Sequence, residues 1–509
     1  MKRTLFVIAA TLLAATSLSA QTRDSHGIIS QQPEGQLFAY TRSGGATYAT
    51  IYFLGDERQE GIATQIVFSE DGTKAYIMNI LSHAATATWV EGNIEGDKIE
   101  VPLGQMVYWF DDGNYGMQLA RVKVNGGIEQ YTVQTSGSVT FKIQEQQLVL
   151  EETSGDPSNN IFDGLGLVYT GEAANEWSYY LDYATVFTRK DVSAVVPPEN
   201  LETEQYSMEY ENSGHIVNVG MQGGNVFVQG VSQTRLPESW MQGKIQGSTI
   251  VFPLTYAGFY SSYLLFYSGA NGEYRKGDDG YYNWFYDWTD GTTTYAYDPA
   301  DGSFSTTQTI FASNSDTSGG QGEAYHAPRF RRYQEYAATP ADPNVSYFQD
   351  MGRFSILMLN VPLQDTEGRF MDPSKVSYQL YIDDDEPYTL YTDEYTRLPE
   401  DIDEVPYLFT DENREAFSRS YIYEKAYAIY LFQKGFDRIG VQTIYRGGGE
   451  EHRSRISYYA ITPDRVAEIS EAASSEVHYD LAGRRVSASH KGLTITRKAD
   501  GTVVKSLKR

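Results

Sequence analysis

A fifteen-residue stretch occurs twice in this 509-residue chain, and its spacing limits what the chain can fold into. Residues 89–103 read WVEGNIEGDKIEVPL and residues 240–254 read WMQGKIQGSTIVFPL, aligned without a gap by a shift of 151 positions. Trp89/Trp240, Gly92/Gly243, Ile94/Ile245, Gly96/Gly247, Ile99/Ile250, Pro102/Pro253 and Leu103/Leu254 are identical. Such a period is too long for one solenoid unit and suits a whole domain. Each copy carries a Gly-first pair, Gly96-Asp97 or Gly247-Ser248, which fits a two-residue type II′ turn because glycine takes positive φ freely. That turn sets Ile94 opposite Ile99, Gly92 opposite Val101 and Val90 opposite Leu103 on one face. Glu91, Asn93, Glu95, Lys98 and Glu100 fall on the other. In the second copy Met241, Gly243, Ile245, Ile250, Phe252 and Leu254 point inward, with Gly243 leaving room for Phe252. One dry and one wet face predict antiparallel sheet, and a one-residue slip would turn the apolar set outward.

Composition supports strands: 41 tyrosines, 23 phenylalanines and 46 glycines suit pleated sheet and turns. The net charge of −27 argues against a nucleic-acid partner. Residues 1–20 read as a secretory leader, with Lys2 and Arg3, an apolar run from Leu5 to Ala15, and a cut after Ala20. No later run approaches the twenty or so apolar residues of a spanning helix, so no transmembrane segment is expected in the mature chain. The absence of cysteine removes disulfides and a lipidated cysteine.

Short alternating segments and turn signals place one β-rich domain at 33–190 and its copy at 198–336, separated by the stiff Val195-Val196-Pro197-Pro198 connector. Both close on similar ends, Ala184–Arg189 and Ala327–Arg332, and diverge most in the loops 111–116 and 277–292, where differing functions would sit. About seven segments over 345–462 predict a small sandwich of the immunoglobulin or fibronectin type III kind, with 446–452 as a flexible hairpin loop. A short helix or linker at 463–475 and a tail at 476–509 complete an all-β architecture: two homologous antiparallel domains, a sandwich and a short β tail.

The tail carries YDLAGRRV (479–486), KGLTI (491–495) and DGTVVK (500–505). It resembles the short C-terminal segments of exported Bacteroidota proteins, which are similar to the later strands of type IX secretion sorting domains. On that resemblance Tyr479, Asp480, Leu481, Gly483, Arg484, Arg485, Lys491, Gly492 and Leu493 form the sorting pattern, with Thr494 where an aromatic is usual. Residues 371–379 and 439–454 resemble sandwich modules that precede such tails, and the repeated domains resemble uncharacterised β-rich modules of the same proteins. The resemblance implies export, an extracellular or outer-surface location (alternatively the periplasm) and contact with export machinery through the tail. It implies no activity. The bland alternative is a basic hairpin resting on the protein's own acidic surface.

The seven histidines are isolated, with no HExxH cluster, no GxSxG elbow and no phosphate loop, so no catalytic site, metal or cofactor is expected. The acidic runs 278–279 and 383–386 offer oxygen ligands for Ca²⁺, yet such runs are commonly solvated turns. The binding candidate is Asn283, Trp284, Tyr286, Asp287 and Trp288. Alternation puts Trp284, Tyr286 and Trp288 on one face as a platform for sugar rings, with Asn283 and Asp287 bonding hydroxyls; the alternative is ordinary core. Trp89 and Trp240, on the outward parity, are either a second platform or tucked inward by a bulge. The expected role is non-catalytic surface binding or adhesion, with a glycan or another surface protein as partner. A structural stalk protein is the alternative, and a glycoside-directed enzyme with an unrecognised carboxylate site the third reading.

Overall fold

Both repeated stretches are antiparallel hairpins in the computed structural model. It describes residues 22–49, 54–111, 113–171, 174–211, 213–277, 280–288, 290–314, 322–383, 385–425, 427–461, 477–479, 485–486, 492–497 and 503–508. Ile94 pairs with Ile99 and Ile245 with Ile250, and Gly96 and Gly247 take φ of 64° and 65° in the turns. Val90, Ile99, Val101, Met241, Ile250 and Phe252 are buried, while Ile94, Ile245 and Leu254 are half-buried. A Cβ on Gly243 would lie 2.7 Å from Phe252 Cδ1, and one on Gly92 would lie 2.5 Å from Ile99 Cγ2. Both glycines are therefore required by side chains of the adjoining strand.

The outer pairs expected in the first hairpin, Gly92–Val101 and Val90–Leu103, do not form. The hairpin splays beyond Asn93–Glu100: Trp89–Asn93 pairs with residues 74–78, and Lys98–Pro102 pairs with residues 138–142. The Gln105 carboxamide fills the fork, accepting from the Glu91 N–H and donating to the Glu91 carbonyl, each at 2.8 Å. The opened backbone thus keeps its partners.

That splay lets each domain close on itself. In the first, eight strands form a ring in the order Gln36–Ala49, Leu54–Phe68, Lys74–Met78, Trp89–Glu95, Lys98–Pro102, Ser138–Gln144, Gln147–Leu150 and Trp177–Lys190, the last pairing back with the first. In the second, Thr203–Tyr210, Ser213–Gln222, Asn225–Gln229, Trp240–Gln246, Thr249–Phe252, Thr293–Tyr297, Phe304–Ser305 and Arg329–Arg332 form the same ring. Closure removes the exposed sheet edges. Tyr40, Ile66, Ile77, Phe141 and Phe187 fill one interior; Tyr206, Val228, Tyr295, Phe304 and Phe330 fill the other. The matching ends agree down to the backbone. Ala184 and Ala327 sit at φ 48° and 47°, a left-handed conformation costing a non-glycine residue about 1–2 kcal/mol, and Phe187 and Phe330 are fully buried three residues later.

Each ring sends out further antiparallel strands after its fifth strand. In the first domain these are Met106–Phe110, Tyr115–Asn125, Tyr131–Gln134, Ser154–Asp156 and Ile161–Tyr169, continuous with the ring's own sheet through the pairing of Ile161–Tyr169 with Trp177–Lys190. In the second they form a separate sheet of Thr255–Tyr260, Tyr263–Lys276, Tyr282–Trp288, Thr309–Ser313 and Gly322–His326. The barrels meet where Ala63 N–H donates to the Ser262 carbonyl at 2.7 Å and Asn79 Nδ2 to the Ser261 carbonyl at 2.9 Å, beside Ala63, Leu264 and Phe266.

Trp89 corrects the expected bulge. It keeps its outward parity yet is 3% exposed, because the N-terminal segment lies over it. The Ile29 carbonyl accepts the Trp89 N–H at 2.9 Å, and Ile29, Val67, Tyr76 and Trp89 form a small cluster outside the ring. Trp240 is half-buried.

The described residues divide into two compact units: Met1–Ala341 with Pro362–Val376 and Tyr445–His452, and Asp342–Val361 with Ser377–Ile444 and Arg453–Arg509. The second unit holds a two-sheet sandwich. Asn344–Asp350, Ser355–Asn360 and Ile429–Leu431, its first, second and fifth strands, form one sheet. Val405–Pro406, Val376–Ile382, Arg438–Tyr445 and His452–Arg453, its fourth, third, sixth and seventh strands, form the other, with Ser457–Ala460 also pairing on Arg438–Val441. This strand order suits the fibronectin type III kind. A one-turn helix, Arg414–Arg419, was not expected. Nor is 446–452 a free loop: Gly448 N–H donates to Glu335 Oε1 at 2.7 Å, and a Cβ there would lie 2.3 Å from the Ala337 nitrogen.

In the tail, residues 485–486, 477–479, 492–497 and 503–508 form an antiparallel sheet in that order. Tyr479, Arg485, Gly492 and Leu493 lie in its strands; Asp480, Leu481, Gly483, Arg484 and Lys491 lie outside the described residues, as do residues 1–20, the expected leader, and 463–475, the expected short helix or linker. Among the described residues no helix is long and apolar enough to cross a membrane.

Candidate functional site: an aromatic tier on the second domain

The strand Tyr282–Trp288 is the antiparallel partner of the outer half of Tyr263–Lys276: Trp288 pairs with Ala270, Tyr286 with Gly272 and Trp284 with Tyr274. Small residues beneath let large rings lie across the sheet. A Cβ on Gly272 would lie 3.2 Å from two atoms of the Trp284 indole, so the ring occupies the space a side chain would need. Trp284 extends over the sheet to His326, with ring centroids 3.7 Å apart and planes 4° from parallel. Tyr286 lies parallel to both, 6.3 Å from Trp284 and 6.1 Å from His326. Trp288 and Tyr286 rest on Phe311, at 4.7 and 4.9 Å. Tyr274 and Tyr282 continue the tier toward solvent, 58% and 61% exposed, whereas Trp284, Tyr286 and Trp288 are half-buried.

The predicted site residues are thus only partly brought together. Trp284, Tyr286 and Trp288 share a face. Asn283 and Asp287 lie on the opposite one with Phe285, whose ring carries the Arg275 guanidinium at 3.7 Å. They cannot bond a ligand seated on the tryptophans. The polar groups that do reach the tier were not foreseen. His326 Nδ1 is 2.9 Å from Thr309 Oγ1, and its Nε2 is 3.9 Å from a Glu211 carboxylate oxygen. Burial holds the His326 imidazole below its ordinary range, with Glu211 opposing the shift, and burial raises Tyr286. His326 arrives through pairing of its strand with Thr309–Ser313, and no local spacing in the sequence announces that.

The same face of the first domain is built differently. Val122 and Val124 stand where Ala270 and Gly272 stand in the second, and Val133 and Tyr131 replace Trp288 and Tyr286. Val122, Val124, Phe162, Val168, Leu181 and Trp177 form a dry cluster there. Residues 315–321 lie outside the described residues.

Among the described residues no three His, Cys, Asp or Glu gather as metal ligands. Asp383 Oδ1 instead accepts the Asp437 and Arg438 N–H groups at 2.7 and 2.9 Å, and Asp385 pairs with Arg438 at 3.3 Å. Asp278, Asp279 and Asp384 are outside the described residues. Neither a family model nor a curated protein matches this chain.

Proposed function

We propose that this is a non-catalytic, exported surface-binding protein whose second domain presents an aromatic platform to a glycan. The observation that carries this reading is the set of parallel, half-exposed Trp284, Tyr286 and His326 rings running into exposed Tyr274 and Tyr282. Flat aromatic faces take the C–H faces of pyranose rings, and the hydroxyls at the ring edge are left for water or neighbouring side chains. Export rests on the leader at 1–20 and the sorting-like tail. A structural surface role is the second reading, favoured by the hydrogen bonds that join the two barrels at Ala63 and Asn79.

A glycan array with the full chain, followed by calorimetry on any hit, tests the platform. Trp284→Ala is expected to weaken binding roughly two- to tenfold with an unchanged fold, since one aromatic contact contributes about 0.5–1.5 kcal/mol beyond its area. Binding unaffected by Trp284→Ala and Tyr282→Ala, or no glycan bound at all, contradicts the reading. Deleting 476–509 is expected to keep the protein within the cell envelope, and unchanged surface exposure removes the sorting role.

A further inference from the structure

The outer wall of the second barrel holds a groove of ≈ 350 Å³ where its seventh strand, Phe304–Ser305, is only two residues long. Phe304 and Phe330 point into the barrel, so Ser303, Ser305, Arg329 and Arg331 point out. The two arginines, two residues apart in a strand, leave the same face about 6.6 Å from each other. Both are exposed. Arg331 is 4.0 Å from Glu209, and Arg329 makes no ion pair among the described residues. Asp298 lines the groove as well, its carboxylate accepting the Ala300 N–H at 2.9 Å. In the first barrel Val186 and Thr188 occupy the positions of Arg329 and Arg331, and Gln147 and Val149 those of the serines.

We infer that this groove binds an anionic sugar residue, a uronate or a sulfated unit, as part of the glycan read from the aromatic tier, and the inference rests on that reading. Paired guanidiniums suit a planar carboxylate or a sulfate through two-pronged hydrogen bonds. Asp298 disfavours a simple anion but accepts sugar hydroxyls, and Ser303 and Ser305 donate or accept at the floor. The ligand therefore needs both a negative group and several hydroxyls. The chain's net charge of −27 gives no long-range attraction for a polyanion, and charges beyond about 8 Å are screened at physiological salt. Recognition is then a contact effect, and short acidic oligosaccharides bind as well as long ones.

Calorimetry on the full chain with hexagalacturonate, a sulfated hexasaccharide, the methyl-esterified hexagalacturonate and sodium sulfate tests this. One acidic hexasaccharide is expected to bind at least tenfold more tightly than the neutral ester. Arg329→Ala/Arg331→Ala is expected to erase that preference with an unchanged melting temperature, and Arg329→Lys/Arg331→Lys to restore part of it. Equal affinity for acidic and neutral sugars, with loss in Trp284→Ala, overturns this inference and leaves the glycan reading standing. Sodium sulfate binding as tightly as the sugars reduces the groove to a plain anion site and overturns it too. Binding of no sugar defeats both.

Discussion

The two barrels face one identical problem and solve it in opposite ways. Their third strands are each followed by a left-handed residue, Asn79 at φ 46° and Gly230 at φ 85°, whose carbonyl needs a donor inside the fold. In the first barrel buried Arg42 donates to the Asn79 carbonyl at 2.6 Å and to Ile80 at 2.9 Å, and pairs with buried Asp182 at 3.1 Å. Ser82 completes the site through its N–H and hydroxyl, at 2.9 and 2.7 Å from Asp182. Burial pushes the Asp182 carboxyl up and Arg42 down, each opposed by the other's charge. In the second barrel Met208 and Tyr325 take the positions of Arg42 and Asp182, and His215 stands where Ile62 is. His215 Nε2 lies 3.0 Å from the Gly230 carbonyl and therefore carries the proton, while Tyr210 reaches Nδ1 at 3.3 Å. A buried carbonyl must have a donor, and an ion pair is one costly way to supply it. The ring sets the demand and leaves the chemistry of the answer free. The outer sheets extend the lesson: aliphatic and dry on one barrel, aromatic and half-exposed on the other.

Inverting a hairpin strand should damage either barrel more than any other change. Lys98→Ile with Ile99→Lys should abolish folding of the first barrel, and Thr249→Ile with Ile250→Lys that of the second, because each turns a buried strand inside out. Loss of the corresponding unfolding transition and of near-ultraviolet dichroism checks this; a folded variant breaks the comparison. Next, Asp182→Ala strands a buried guanidinium and should cost about 3–5 kcal/mol, against about 1–3 kcal/mol for His215→Ala, which strands a neutral carbonyl. Denaturant midpoints measure both. The transplant Arg42→Met/Ile62→His/Asp182→Tyr should be more stable than Asp182→Ala alone. Gly243→Ala should cost about 1–3 kcal/mol through its clash with Phe252, and Phe252→Val, the first barrel's residue at that position, should relieve it. The smallest effect is the tier's pH dependence. The folded His326 sits below its ordinary 6.5, so its contribution is complete above that pH and fades as pH falls through the folded value. Wild type should lose its melting-temperature advantage over His326→Gln between neutral pH and mild acid.

Local alternation made much of this legible. Ile94 facing Ile99, the glycine turns and the demand of Phe252 on Gly243 follow from a period of two around a fixed turn. The same parity that gathers Trp284, Tyr286 and Trp288 sends Asn283 and Asp287 to the other face, so that part of the binding set fails on geometry already present in the chain. Closure was not legible, because the strands that complete the first ring are some 140 residues apart and begin in the polar, glycine-containing segment 36–49. The Gln105 plug and the Ile29 cover over Trp89 were equally hidden: each is one side chain or backbone group meeting a distant strand, with no periodic signature.

Both barrels stand on ring closure, and in a cysteine-free chain an introduced disulfide reports it directly. Thr41 and Thr188 are direct partners across the closing seam of the first barrel. Opposed antiparallel residues lie within disulfide reach. Thr41→Cys/Thr188→Cys should oxidise to a full intramolecular disulfide in the native protein, as should Ser207→Cys/Arg331→Cys at the matching seam of the second barrel. Thr41→Cys/Val186→Cys, two residues off register, should lag far behind. Free thiols in both matched pairs under the same oxidation would mean that the sheets are open, and would contradict the shared barrel.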